Sequence, residues 1–240
     1  KLGKIEDLLP IYLINNSGFI IAAFTVRILI DKKSIASLGF IWKGFSQHAF
    51  AGFFLAIFLL SIGTLLLLSF DYLSYTGFQF SLQQLLLQFL LFTVVAFSEE
   101  IIIRGYILNN FMQSFNKWIA LFISAALFAI LHATNPSVTV ISVAAIFIAG
   151  ILLGINYIYT KNLWFAIFMH FSWNFFQGSI LGYEVSGIKT HTLFIQSLTG
   201  PDFFTGGNFG FEGSFICIVL QLMAIAFLFK RYKQQKNSQY

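Results

Sequence analysis

Seven residues of this chain have types and spacings that could do chemistry together. They are Glu99, Glu100 and Arg104 in "SEEIIIRG", Phe128 and His132 in "FAILH", and His170 and Asn174 in "HFSWN". All three groups lie in or beside strongly apolar runs. A charge at mid-bilayer costs several kcal/mol, so such residues normally face a bundle interior and serve a purpose there. Glu100 and Arg104 stand four apart with the acid on the N-terminal side, the favourable order for an ion pair within one helix. Glu99 lies about 100° around the helix from Glu100, so it points elsewhere and has no partner in its own segment. A carboxylate without a cation of its own can act as a general base or acid. Phe128 with His132, and His170 with Asn174, are also four apart, so each pair shares a helix face.

These residues need elements that bring them to one depth. Of the 240 residues 58% are hydrophobic and 10% charged, with a mean hydropathy of +0.82, which is the composition of an integral membrane protein. Runs near the roughly 20 residues that a spanning helix needs occur at 8–30, 49–70, 82–109, 118–132, 138–159, 163–182 and 214–229. The expected fold is therefore all-α, a polytopic transmembrane helix bundle of about seven spans forming one domain over 1–240, with the chemistry in 97–174. The chain starts at Lys1 without Met, which leaves room for one further span upstream.

Basic residues set the orientation. Lys32, Lys33, Lys43, Lys117, Lys161 and the tail "KRYKQQK" fall on one side, which the positive-inside rule makes cytoplasmic. The opposite connections hold Asp71, "HATNPS" and a long loop with Lys189, Glu184, Asp202 and Glu212. At about 1.5 Å per residue, Glu99, His132, His170 and Asn174 lie about 13–21 Å from that basic side. They are expected to line one polar cavity, in its cytoplasmic half. The net charge of +5 belongs to loops and tail rather than to a nucleic-acid face.

Other residues read as structural. Gly150 and Gly154 are expected at a close helix contact, His48 and His191 at ordinary surface, and the single Cys217 in apolar packing rather than nucleophilic chemistry.

In order, EExxxR, FxxxH and HxxxN on separate spans resemble the CPBP family of CAAX prenyl proteases and bacteriocin-processing (Abi) proteins. The Gly-rich "TGGNFGFEGS" is similar to its bacterial members. Ile103 departs from the Phe that often precedes the arginine. The resemblance implies an intramembrane endopeptidase acting on prenylated tails or, in bacterial members, on leader or signalling peptides, in a multi-pass inner membrane.

Hydrolysis in lipid needs a water, a base and donors for the oxyanion. Glu99 is the expected base and His132 helps hold the water. His170 and Asn174 donate to the oxyanion, while Glu100, Arg104 and Phe128 support them. A metal-free reaction is the expectation; zinc on Glu99, His132 and His170 is the alternative. A non-proteolytic regulator or scaffold, or a proton-coupled transporter, remains open as another class of function.

Overall fold

The computed structural model describes residues 5–237; Lys1–Lys4 and the last three residues of the tail lie outside the described residues. In lipid every backbone N–H and C=O must be satisfied within the chain, and helices do this segment by segment. Helix α1 runs Ile5–Leu29 and α2 Ser46–Ser69. Helix α3, Leu82–Glu100, continues without a break through a π-helical stretch, Ile101–Leu108, into α4, Asn109–Ser114. Then follow α5 Lys117–His132, α6 Val140–Thr160 and α7 Trp164–Asn174, the last extended by a second π-helical stretch, Phe175–Ile180. A single turn, α8 (Asp202–Thr205), precedes α9, Phe215–Asn237.

Local chemistry explains where these helices begin. The Ser81 hydroxyl accepts from Gln84 N at the start of α3, and the Asn116 side chain accepts from Trp118 N and Ile119 N at the start of α5. Thr139 and Ser142 cap each other reciprocally at α6. Each arrangement satisfies backbone donors that a helix N-terminus leaves open.

All seven expected segments are helical, and among the described residues five helices are long and apolar enough to cross a membrane. Helix α5, with 16 residues, and α7, with 11, fall short of that length. Large apolar side chains such as Ile14, Phe54, Phe58 and Phe227 are exposed, as expected of surfaces that meet lipid tails. The interior is packed closely through small residues. A Cβ on Gly52 of α2 would sit 2.3 Å from Phe165 O of α7, and one on Gly150 of α6 would sit 2.9 Å from Ala125 of α5. Gly150 and Gly154 thus do mark a close helix contact.

One feature departs from the all-helical expectation. The connection after α2 and the loop after the second π stretch pair as antiparallel strands, β1 (Leu73–Phe78) and β2 (Phe194–Leu198), with Leu73 opposite Leu198 and Phe78 opposite Phe194. Both connections lie on one side of the bundle, and pairing satisfies backbone groups that would otherwise need water. At the opposite, basic end, Arg27 is buried. It contacts Asp31 at 3.1 Å, Ser37 Oγ at 2.9 Å and Asn110 Oδ1 at 3.2 Å, tying α1 to α4.

The two surface histidines are corrected as well. His48 Nδ1 lies 3.0 Å from Asn156 Nδ2, which also meets the Tyr232 hydroxyl. The His191 carbonyl accepts from Gln88 Nε2 at 2.7 Å, and this residue of the long loop is half-buried. Sequence position at a span boundary does not show that a neighbouring helix carries a matching amide.

Candidate active site

Helix α3 delivers Glu99 and Glu100 one residue apart, hence to different faces. Glu100 is fully buried and its Oε1 lies 2.7 Å from Arg104 Nη1. The guanidinium continues through Nη2 to the Gly150 carbonyl at 3.2 Å and stacks on Phe128, 4.4 Å from the ring centroid. An arginine held by a carboxylate, a carbonyl and an aromatic face has little freedom to move. The π-helical stretch begins directly after Glu100. Such widened turns concentrate at functional sites because they re-aim side chains that a regular helix would place differently.

His170 comes to the same carboxylate from α7. Its Nδ1 is 2.8 Å from Glu100 Oε1. A carboxylate can only accept here, so Nδ1 carries a proton and donates. His132, at the end of α5, is set in the same way. Its Nδ1 lies 2.8 Å from the Phe128 carbonyl of its own helix, so this Nδ1 also donates. When either ring is neutral, its Nε2 is then left with a lone pair.

Both Nε2 atoms face Glu99. Its Oε2 lies 3.7 Å from His132 Nε2 and 3.9 Å from His170 Nε2, and it has no hydrogen-bond partner among the described residues. Phe128 packs under the cluster, its ring centroid 4.5 Å from that of His132 and 6.1 Å from that of His170. The convergence expected from depth alone is therefore present: three separate helices bring His132 and His170 each within 4 Å of Glu99. Asn174, one turn along α7 from His170, is buried on the wall of the same cavity.

That cavity has a volume of about 510 Å³. Tyr12 and Phe19 of α1, Leu91, Phe92 and Val95 of α3, and Leu131 of α5 make its walls mostly apolar. Ser186, Lys189 and Glu212 of the long loop also reach it. The cavity is thus not confined to the half of the bundle nearer the basic ends, as helix counting had suggested. It extends to the loop side, because the loop folds inward over the helix ends instead of standing in solvent.

Glu212 was missed as a site residue. In sequence it is one acid in a Gly-rich loop, yet it is buried, and its Oε1 accepts from Ser186 N at 2.6 Å and Ser186 Oγ at 2.8 Å. Burial holds its carboxyl above the usual range, while the Ser186 donors and the two imidazoles pull part of the way back. Glu184, half-buried and 3.5 Å from Lys189 Nζ, is also raised by burial. The only signal that could have flagged Glu212 was its place between two glycines of a cramped loop.

Zinc can be tested against this donor set. Two imidazole lone pairs and a carboxylate oxygen are suitable ligands, and the Nδ1 partners are those that usually orient ligating histidines. Their spacing is less suitable, since ligands at about 2.0–2.1 Å from a tetrahedral zinc stand about 3.3 Å apart. Among the described residues no group of three His, Cys, Asp or Glu is placed to hold a metal ion.

Residues 81–176 match the family model described as Type II CAAX prenyl endopeptidase Rce1-like. This stretch contains all three motifs, so the resemblance read from them holds over it. Searches of curated proteins and of solved structures each returned no match. The apolar helices describe a multi-pass membrane protein, which over residues 81–176 is similar to the CAAX prenyl endopeptidase family.

Proposed function

We propose that this chain is an intramembrane endopeptidase that hydrolyses peptide bonds of membrane-associated peptides with a water activated by Glu99. One observation carries the reading. The orphaned Oε2 of Glu99 faces two imidazole lone pairs at 3.7 and 3.9 Å on the wall of a largely apolar cavity. Three converging acceptors suit a water, which can offer protons to two of them while its oxygen faces a substrate carbonyl.

In this mechanism Glu99 takes the proton as the water attacks, and His132 Nε2 holds the water's second hydrogen. The Asn174 amide donates to the oxyanion as negative charge develops there. His170 can join it only as the imidazolium, with Glu100 holding Nδ1, because the neutral ring has no proton on Nε2. Glu100 and Arg104 position this assembly and touch no substrate. The reaction as proposed is metal-free, which the wide donor spacing supports. The cavity walls suit an apolar segment of a peptide embedded in or lying on the bilayer, such as a leader or signalling peptide. The basic loops and tail then serve as cytoplasmic topology anchors, and no nucleic acid is involved.

The test is to incubate purified protein in detergent with a peptide library and identify products by mass spectrometry, beside Glu99→Gln. Cleavage by wild type and a loss of about 10²–10⁴-fold in the variant at unchanged melting temperature is expected. A scaffold or regulator would cleave nothing and would keep its cellular role with Glu99→Ala. Turnover retained by Glu99→Gln would remove the general-base assignment.

A further inference from the structure

With both imidazoles neutral, the proton-handling atoms at the centre of the motif cluster are all acceptors: Glu99 Oε2 and the two Nε2 atoms. Breaking an amide also requires a proton on the departing nitrogen, since an amide anion is a very poor leaving group. A group that brings this proton must line the same cavity and carry it on an atom aimed inward.

Glu212 meets the first condition, and the hydrogen bonds of its carboxyl bear on the second. Its turn, Phe211–Gly213, is clasped against the arm of the loop that carries Ser186. Gly187 N donates to Phe209 O at 2.9 Å, and Gln177 Nε2 donates to Glu184 O at 2.8 Å. Gln177 is itself held by Trp173 Nε1 at 2.8 Å, which links the loop to the turn of α7 that carries Asn174. Gly210 has φ +107, and a Cβ there would sit 1.9 Å from the Glu184 carbonyl oxygen. Only glycine permits this approach. The close contact places Oε1 of Glu212 on the Ser186 donors.

The orientation of the proton follows. Oε1 is occupied as acceptor of a backbone N–H, which can only donate, and of a hydroxyl. Oε2 has no hydrogen-bond partner among the described residues, while Glu212 lines the cavity. A proton on this carboxyl therefore resides on Oε2.

We infer that Glu212 is the general acid of the reaction, donating its Oε2 proton to the leaving amine. The inference rests on the endopeptidase reading. In the first step the water oxygen bonds to the carbonyl carbon and its proton goes to Glu99. In the second the C–N bond breaks, its electron pair stays on nitrogen, and that nitrogen receives the proton from Glu212. The carbonyl re-forms as a carboxylic acid. The proton on Glu99 then returns to the Glu212 carboxylate through cavity water, restoring both groups with no oxidant, reductant or metal. The competing reading has Glu99 carry its proton to the nitrogen itself, with Glu212 only bracing the loop.

Leaving-group chemistry separates the two. An apolar peptide that wild type cleaves is compared with its depsipeptide, in which the scissile amide is an ester; an alkoxide leaves with far less need of a proton. Glu212→Gln keeps the acceptor for Ser186 and the side-chain size but has no acidic proton. Amide turnover is expected to fall about 10²–10⁴-fold, with depsipeptide turnover and melting temperature near wild type. Glu212→Asp, which keeps the acid, should recover part of the amide turnover. Equal losses on both substrates, no loss on either, or a Glu212→Asp variant no better than Glu212→Gln would overturn the assignment. A wild type that cleaves neither substrate would instead remove the endopeptidase reading, and this inference with it.

Discussion

His170 Nδ1 and Glu100 Oε1, 70 residues apart in the chain, meet at 2.8 Å in the centre of the bundle. The same oxygen receives Arg104 at 2.7 Å. One carboxylate thus neutralises the arginine of its own helix and aims the imidazole of another, so the ion pair and the geometry of the candidate site are a single assembly.

Breaking that assembly should affect stability and activity together. Glu100→Gln leaves Arg104 buried without its counter-charge and removes the charged acceptor for His170. A loss of about 3–5 kcal/mol is expected for a stranded buried charge. Melting temperature and peptide turnover measured in one detergent should both fall. A variant that melted like wild type would show that Arg104 finds its compensation elsewhere.

The close contact between α5 and α6 predicts a steric effect without polar change. Gly150→Val places a branched side chain where even a Cβ would be 2.9 Å from Ala125. It also pushes on the carbonyl that holds Arg104. Overpacking of this kind costs about 1–3 kcal/mol, read as a lowered melting temperature. Gly18, whose Cβ would meet nothing within 4 Å, is the control position, and Gly18→Ala should leave stability unchanged.

Metal dependence has a direct test. Dialysis against EDTA and 1,10-phenanthroline should leave turnover and melting temperature unchanged, and purified protein should contain less than stoichiometric zinc by elemental analysis. A loss of turnover restored by zinc alone would move Glu99, His132 and His170 from water activation to metal ligation.

Orientation can be read chemically, because Cys217, the only cysteine in the chain, is fully buried and should give little background. Cysteines introduced at Lys117 and Lys161 should resist a membrane-impermeant maleimide in intact cells and react after permeabilisation. One introduced at Lys189, an exposed residue of the long loop, should react from outside. The reverse pattern would invert the proposed topology.

What was legible in the sequence depended on short-range rules. Apolar runs long enough for lipid located all seven helical segments, because the bilayer penalises any other backbone state. An i to i+4 spacing was enough to pair Glu100 with Arg104 and to leave Glu99 unpaired. Counting residues along each helix was enough to expect Glu99, His132 and His170 at one depth, since rise per residue is nearly constant.

Tertiary structure alone decided which face each helix turns to its neighbours. That choice made Glu100 the partner of His170 and paired His48 with Asn156. It also folded the long loop inward, so that the cavity reaches Ser186 and Glu212. No local rule distinguishes Glu212 from a solvated loop acid: its burial comes from Gly210 allowing backbone to approach Glu184, a contact 26 residues away along the chain. The sequence determined the membrane fold and the acids and bases at its centre, because helix formation and insertion are governed by neighbours in the chain. Packing determined the protons, because the donor or acceptor state of each nitrogen and oxygen is set by the partner it meets across space.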